Sequence, residues 1–238
     1  MKKSVDNQTE MPIFEHLEEL RERSLIALTV FLIITMTCFI YVKNISLLLQ
    51  EPANGIRFLQ LAPGEYLFAS IKVAIYTGIL LSSPFTIYQI ILFILPGLTK
   101  KEATLIIPIL LSSIALFFTG VMFSYKVLAP AALQFLIKYG SDVVEPAWSF
   151  EQYFNFILLL LFSTGLSFQI PIIQIILGLF NLISSDKMLN YWKYIIFTST
   201  IIGAILTPST DPITQIFMSL AIFVLYIVGI VCLKVLKK

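Results

Sequence analysis

Charge is what this sequence has least of. Only 13% of its 238 residues are Asp, Glu, Lys or Arg, where a soluble domain carries about a quarter. Hydrophobic residues make up 58%, and the mean hydropathy is +0.92. Such a chain is neither an ordinary soluble enzyme nor a disordered tail. There are two cysteines, Cys38 and Cys232, far apart and inside apolar runs. They exclude a disulfide framework, a CxxC redox pair and a cysteine zinc cluster. A single histidine, His16, excludes bis-histidine haem ligation within the chain. The net charge is +2 and no long basic stripe occurs, which argues against nucleic acid as a partner. There is no Gly-rich phosphate loop, nucleophile elbow or metal-ligand spacing. No catalytic residue, metal or cofactor is therefore expected.

What is present is a series of long charge-free runs. They lie between Arg23 and Lys43, Lys72 and Lys100, Glu102 and Lys126, Glu151 and Asp186, Lys193 and Asp211, and Asp211 and Lys234. Their lengths are 19, 27, 23, 34, 17 and 22 residues. A bilayer core about 30 Å thick takes about 20 residues of helix, so the pattern predicts an all-α integral membrane protein with six spans. The spans fall near 24–42, 67–95, 103–126, 152–178, 192–207 and 212–233 of a single membrane domain covering 1–238. The fourth run is too long for one upright helix. Pro171 sits inside it, so one kinked helix ending between Gly178 and Ser185 is expected. The fifth run is short, reaching about 25 Å, and implies local thinning of the membrane. The first run is longer than the apolar core of a secretory signal peptide, and no A-x-A-like site follows it. It is expected to stay as a span.

Six spans put both termini on one side. Eleven Lys and Arg residues then fall on that side and five on the other. The excess of positive charge places both termini in the cytoplasm, or in the stroma of a plastid. Residues 1–23 form an amphipathic segment along the membrane surface, with Ile13, Leu17, Leu20 and Ser24 at helical spacing. Glu19 can pair with Arg23, and Glu18 with Arg21. Four glutamates in residues 15–22 read either as a solvated face or as an acidic patch at the mouth of the bundle.

Several polar positions have an ordinary structural explanation beside a functional one. Thr99-x-x-Glu102 and Ser149-x-x-Gln152 are capping boxes. Asp211-Pro212 reads as a helix N-cap followed by Pro at the first helical position. Gln169, beside Pro171 in the fourth span, needs a partner for its amide. Free carbonyls at the kink would serve, as would an interhelical or intersubunit hydrogen bond. His16 reads as a surface or capping residue. No ionisable side chain lies deep in any span, apart from Lys72 near an end. With no deep Asp, Glu or His and no internal repeat, ion-coupled transport has little support.

Taken together the segments resemble the TatC family, the core subunit of the twin-arginine protein translocase. The resemblance rests on His16-Leu17-Glu18-Glu19-Leu20-Arg21-Glu22-Arg23, Glu51-Pro52, Ser83-Pro84, Tyr88-Gln89 and Phe93-Ile94-Leu95-Pro96-Gly97-Leu98. It also rests on Lys101-Glu102, Gly165-Leu166-Ser167-Phe168-Gln169-Ile170-Pro171 and Leu206-Thr207-Pro208-Ser209-Thr210-Asp211-Pro212. It implies a cup-like bundle with both termini cytoplasmic or stromal. It also implies binding of twin-arginine signal peptides and export of folded proteins on the proton-motive force. The implied partners are single-span subunits of the TatA/TatB type, other copies of the chain, and membrane lipid. Glu19 and Glu102 match the family's acidic contacts for the two arginines, Arg21 the adjacent basic position, and Phe93 the aromatic at the end of the second span. Pro52 matches the external-loop proline and Asp211 the acid of the last external loop. Many bacterial members carry Glu where this chain has Gln169. That position, the Thr-Pro-Ser-Thr-Asp-Pro corner and the Ile/Lys/Phe/Leu-heavy composition resemble the cyanobacterial and plastid branch, and imply a plastid thylakoid membrane, with a bacterial or cyanobacterial inner or thylakoid membrane as the alternative.

The implied chemistry agrees with the residues. A guanidinium presents a planar fork of donors suited to a carboxylate, whereas an ammonium does not. A small-molecule secondary transporter and a purely structural membrane subunit remain as alternatives at this stage.

Overall fold

The computed structural model describes residues 13–53, 56–94, 105–140, 147–207 and 212–235. Ten α-helices lie in these segments: α1 Ile13–Ile40, α2 Val42–Gln50, α3 Glu65–Ile94, α4 Ile106–Phe123, α5 Ala129–Gly140, α6 Phe150–Ser167, α7 Ile170–Leu179, α8 Ser185–Asn190, α9 Trp192–Leu206 and α10 Pro212–Val235. Five stretches are long and apolar enough to cross a membrane: Phe14–Ile40, Glu65–Ile94, Ile106–Tyr139, Phe150–Leu179 and Pro212–Val235. The sixth span is α9, whose 15 residues rise only about 22 Å.

No Gly or Pro occurs between Ile13 and Ile40, and α1 is unbroken over that range. Residues 13–23 are therefore the opening turns of the same helix that forms the first span, and residues 1–12 of the expected amphipathic segment lie outside the described residues. In α3, Pro84 removes the N–H that would bond the carbonyl of Leu80. The Ser83 hydroxyl donates to that carbonyl at 2.7 Å, so the helix continues through the proline. The third span overruns the expected end at 126. A π-turn at Ser124–Leu128 precedes Pro130, where an α-turn would press the ring against the carbonyl one turn back. The chain then runs on through α5.

The fourth span breaks once, at Phe168–Gln169, and resumes with Pro171 in the first turn of α7. Asn181, at φ +55°, ends α7 in a Schellman motif, with Leu182 N–H donating to Leu177 O and Asn181 N–H to Gly178 O. Helix α6 is the centre of the bundle. Its Phe154, Ile157, Leu158 and Leu160 are fully buried against Val73, Leu128 and Met218. A second core joins Ile172, Ile175 and Leu179 of α7 to Tyr226, Ile230 and Leu233 of α10. Helix α1 is peripheral and packs along α3. Its remaining surface, including Leu25, Leu32, Ile33 and Met36, is exposed and faces lipid in a membrane setting.

On the face opposite the termini, two strands of three residues, β1 Arg57–Leu59 and β2 Ala147–Ser149, pair in parallel with Phe58 opposite Trp148. Glu65, only 4% exposed, ties this cap together. One carboxylate oxygen accepts from the N–H groups of Leu61 and Ala62; the other accepts from Ser149 Oγ at 2.6 Å and the N–H of Glu151 at 2.9 Å. Ser149 caps α6 as its sequence suggests, accepting from the N–H of Gln152 at 3.3 Å. The hydroxyls of Tyr125 and Tyr153 pin α2 through Leu48 O and Leu49 O. Lys72 is matched by Glu151 at 2.6 Å and by Asn155 at 2.9 Å.

Candidate functional site

At the face carrying the start of α1, the first turns of α1 lie beside the last turns of α3. A groove of about 500 Å³ opens between them. Leu20, Arg23, Ala27 and Phe31 form one wall; Ile79, Thr86, Gln89 and Phe93 form the other. It continues across the ridge of Ile79, Thr86 and Ile90 into a second cavity of about 390 Å³, closed by Ser113, Phe117, Gln169 and Ile172. Together they make a concave, mostly apolar surface with polar groups at its mouth and midpoint.

Glu19 is the acid at the mouth. Its Oε1 accepts from Arg23 Nε at 2.8 Å and from Nη2 at 2.6 Å. Arg23 Nη1 reaches across to Gln89 Oε1 of α3 at 3.3 Å. Glu19 Oε2 has no hydrogen-bond partner and is screened from solvent, with His16 Nδ1 3.5 Å away. The His16 ring in turn stacks on Phe93, with centroids 4.1 Å apart and planes within 10°. An i,i+4 pair of this kind contributes about 0.3–0.5 kcal/mol to a helix. Its second role here is geometric, because it holds a guanidinium on a carboxylate at the entrance to a groove.

The expected residues are thus distributed unevenly. Glu19 and Phe93 come together, joined by His16. Arg21 is exposed on another face of α1, and among the described residues no ion pair joins it to Glu18. Glu102 and Asp211 lie outside the described residues, as does Thr99. Pro52 sits in a 3-10 turn, Glu51–Ala53, on the opposite face, where Glu51 accepts from the Tyr125 hydroxyl at 2.9 Å. Gln169 bonds across helices: its Oε1 accepts from Ser113 Oγ, and its Nε2 donates to Ser113 O at 3.1 Å. The interhelical alternative, not the kink carbonyls, is what the amide uses.

Sequence reasoning passed over two contributors to the mouth. By sequence His16 reads as a surface or capping residue; the stack on Phe93 makes it a wall of the site. Gln89 figured only as part of a motif. The available signal was that His16, Glu19 and Arg23 recur at i, i+3 and i+7, one helical stripe.

The family model described as "Sec-independent protein translocase protein (TatC)" matches residues 15–221. A relative named "Uncharacterized tatC-like protein ycf43", from Gracilaria tenuistipitata var. liui, is 66% identical over the whole of both chains. The "Sec-independent protein translocase protein TatC" of Synechocystis sp. is 52% identical over 98% of this chain and 92% of its own. A crystal structure titled as the twin arginine translocase receptor TatC superposes with a TM-score of 0.81 at 32% identity, covering 94% of this chain and 100% of that one.

Proposed function

We propose, from the premise that the chain belongs to the TatC family of core subunits of the Sec-independent, twin-arginine protein translocase, that the mouth between α1 and α3 receives the arginine pair of a signal peptide. The observation that carries this reading is Glu19, a half-buried carboxylate already shaped around a guanidinium, at the head of an apolar groove. Its task is recognition and transport, not catalysis. One signal arginine takes Glu19 and the second takes Glu102, on the same side of the membrane. Arg21 guards the approach, and Phe93 packs beside the bound peptide. Charge-assisted hydrogen bonds contribute about 1.5–3 kcal/mol each, so the loss of one contact lowers affinity by about tenfold or more.

In the same reading both termini face the cytoplasm or stroma, and folded cargo crosses on the proton-motive force. The chain has too little polar surface for a pore wide enough for folded cargo, so single-span TatA/TatB-type subunits, further copies of the chain and a deformed bilayer complete the path. Gln169 offers the remaining hydrogen-bond capacity of its amide to such a subunit on the concave face. Pro52 and Asp211 shape the opposite face. Cyanobacterial and chloroplastic relatives support a thylakoid setting.

Photo-crosslinkers placed at Leu20 and Ala27, which leave Glu19 intact, test the reading. A twin-arginine peptide crosslinks at both positions, a Lys-Lys peptide does not, and Glu19→Gln abolishes the crosslink. A crosslink that survives Glu19→Gln in correctly inserted protein overturns the assignment.

A further inference from the structure

We infer that Arg23 is a resident occupant of the guanidinium site, so that a signal arginine binds by exchange and not by filling an empty carboxylate. The inference rests on the reading of Glu19 as the acceptor of a signal arginine and adds what stands there beforehand. Arg23 places Nε and Nη2 on Glu19 Oε1 and Nη1 on Gln89 Oε1, so one side chain both pairs with the acid and staples α1 to α3. Glu19 Oε2 is closed off beside His16. An incoming guanidinium therefore finds no open carboxylate edge until Arg23 lets go.

Three consequences follow from the chemistry. The resting site carries no uncompensated negative charge at the membrane boundary, which would be costly. Apparent affinity is the intrinsic affinity of the ligand divided by the strength of the internal contact, as for any binding-competent state that is only partly populated. Weak ligands are then pushed out of the useful range. A lysine pair, lacking the fork, is already the weaker ligand, so the internal arginine acts as a threshold against it. Finally, the released Arg23 gives up its staple to α3 unless Gln89 holds it, which couples occupancy of the mouth to the spacing of α1 and α3.

The test measures peptide binding to the purified full-length protein in lipid nanodiscs, with a twin-arginine and a Lys-Lys peptide. Arg23→Lys keeps the charge and removes the fork. It tightens both peptides by about twofold, the factor that an i,i+4 pair of this strength corresponds to, and Arg23→Gln tightens them further. A simple charge effect would leave Arg23→Lys at the wild-type value; a direct contact between Arg23 and the peptide would weaken binding. Either result overturns the inference. In a Glu19→Gln background, substitution of Arg23 changes nothing if the two act as one unit. If Glu19→Gln alone leaves twin-arginine binding intact, the reading of Glu19 itself fails. If it abolishes binding while Arg23→Lys does not tighten it, only the exchange inference fails.

Discussion

Glu19 and Gln169 are both polar groups on the concave surface, and their partners separate their roles. Glu19 is held by a side chain that can leave, on its own helix and at the water boundary. Glu19→Gln keeps size and burial but loses the charge that a guanidinium needs. It is expected to weaken twin-arginine peptide binding at least tenfold, as read by fluorescence anisotropy, while thermal stability changes little. Gln169 is held by Ser113 of α4, part-buried at the wall of the second cavity, and such interhelical hydrogen bonds in membranes average about 0.6 kcal/mol. Gln169→Leu should leave signal binding unchanged and weaken assembly with a single-span subunit. An unchanged complex on a native gel would remove Gln169 from the partner surface.

The helices owe their close approach to small residues at a few crossings. Gly229 of α10 lies against α7. A Cβ there would run into Gln174 Oε1 and sit 3.0 Å from Pro171 Cα. Part of that obstacle is backbone, in the turn where α7 restarts, so it cannot swing aside. Gly229→Leu is expected to cost about 1–3 kcal/mol through overpacking. The measurement is a lower melting temperature in detergent. The break at Phe168–Gln169 is supported in a similar way: a Cβ on Gly120 would press into the Phe168 ring at 2.7 Å, so α4 carries glycine where the ring turns in.

The protein as a whole is held differently at its two ends. The face opposite the termini is a cap, closed by the β1–β2 pair and by the four hydrogen bonds of Glu65. Glu65→Ala should open it. The expected readout is faster tryptic cleavage at Arg57, exposed in β1, with the spans still protected; equal cleavage rates would show that the strand pairing suffices. Among the described residues, the terminal face carries the Lys234–Asp186 pair at 3.5 Å and the groove between α1 and α3. Orientation is checked in a cysteine-free background with an impermeant thiol reagent. Lys138→Cys should react from the outer side and Asp186→Cys only after permeabilisation. The reverse result would invert the proposed topology.

Spans were legible because hydrophobicity and charge-free length are properties of consecutive residues. Six runs predict six spans, and the weakest of them, Lys193 to Asp211, is the short α9. Pro171 and Ser149 also announce their effects, since a missing N–H and a capping hydroxyl act within one turn. The candidate site was legible in part: the glutamate and its i+4 arginine share a helical stripe that spacing alone reveals. The His16–Phe93 stack, the Arg23–Gln89 contact, the Glu65 clip and the pairing of Arg57–Leu59 with Ala147–Ser149 join residues far apart in the chain. Three-residue strands carry no readable periodicity. Which polar groups meet across helices depends on the axial register and the angle at which α1, α3 and α6 cross. Local composition thus determined the number and order of the helices, while packing between them decided which carboxylate closes the outer cap and which one waits at the mouth.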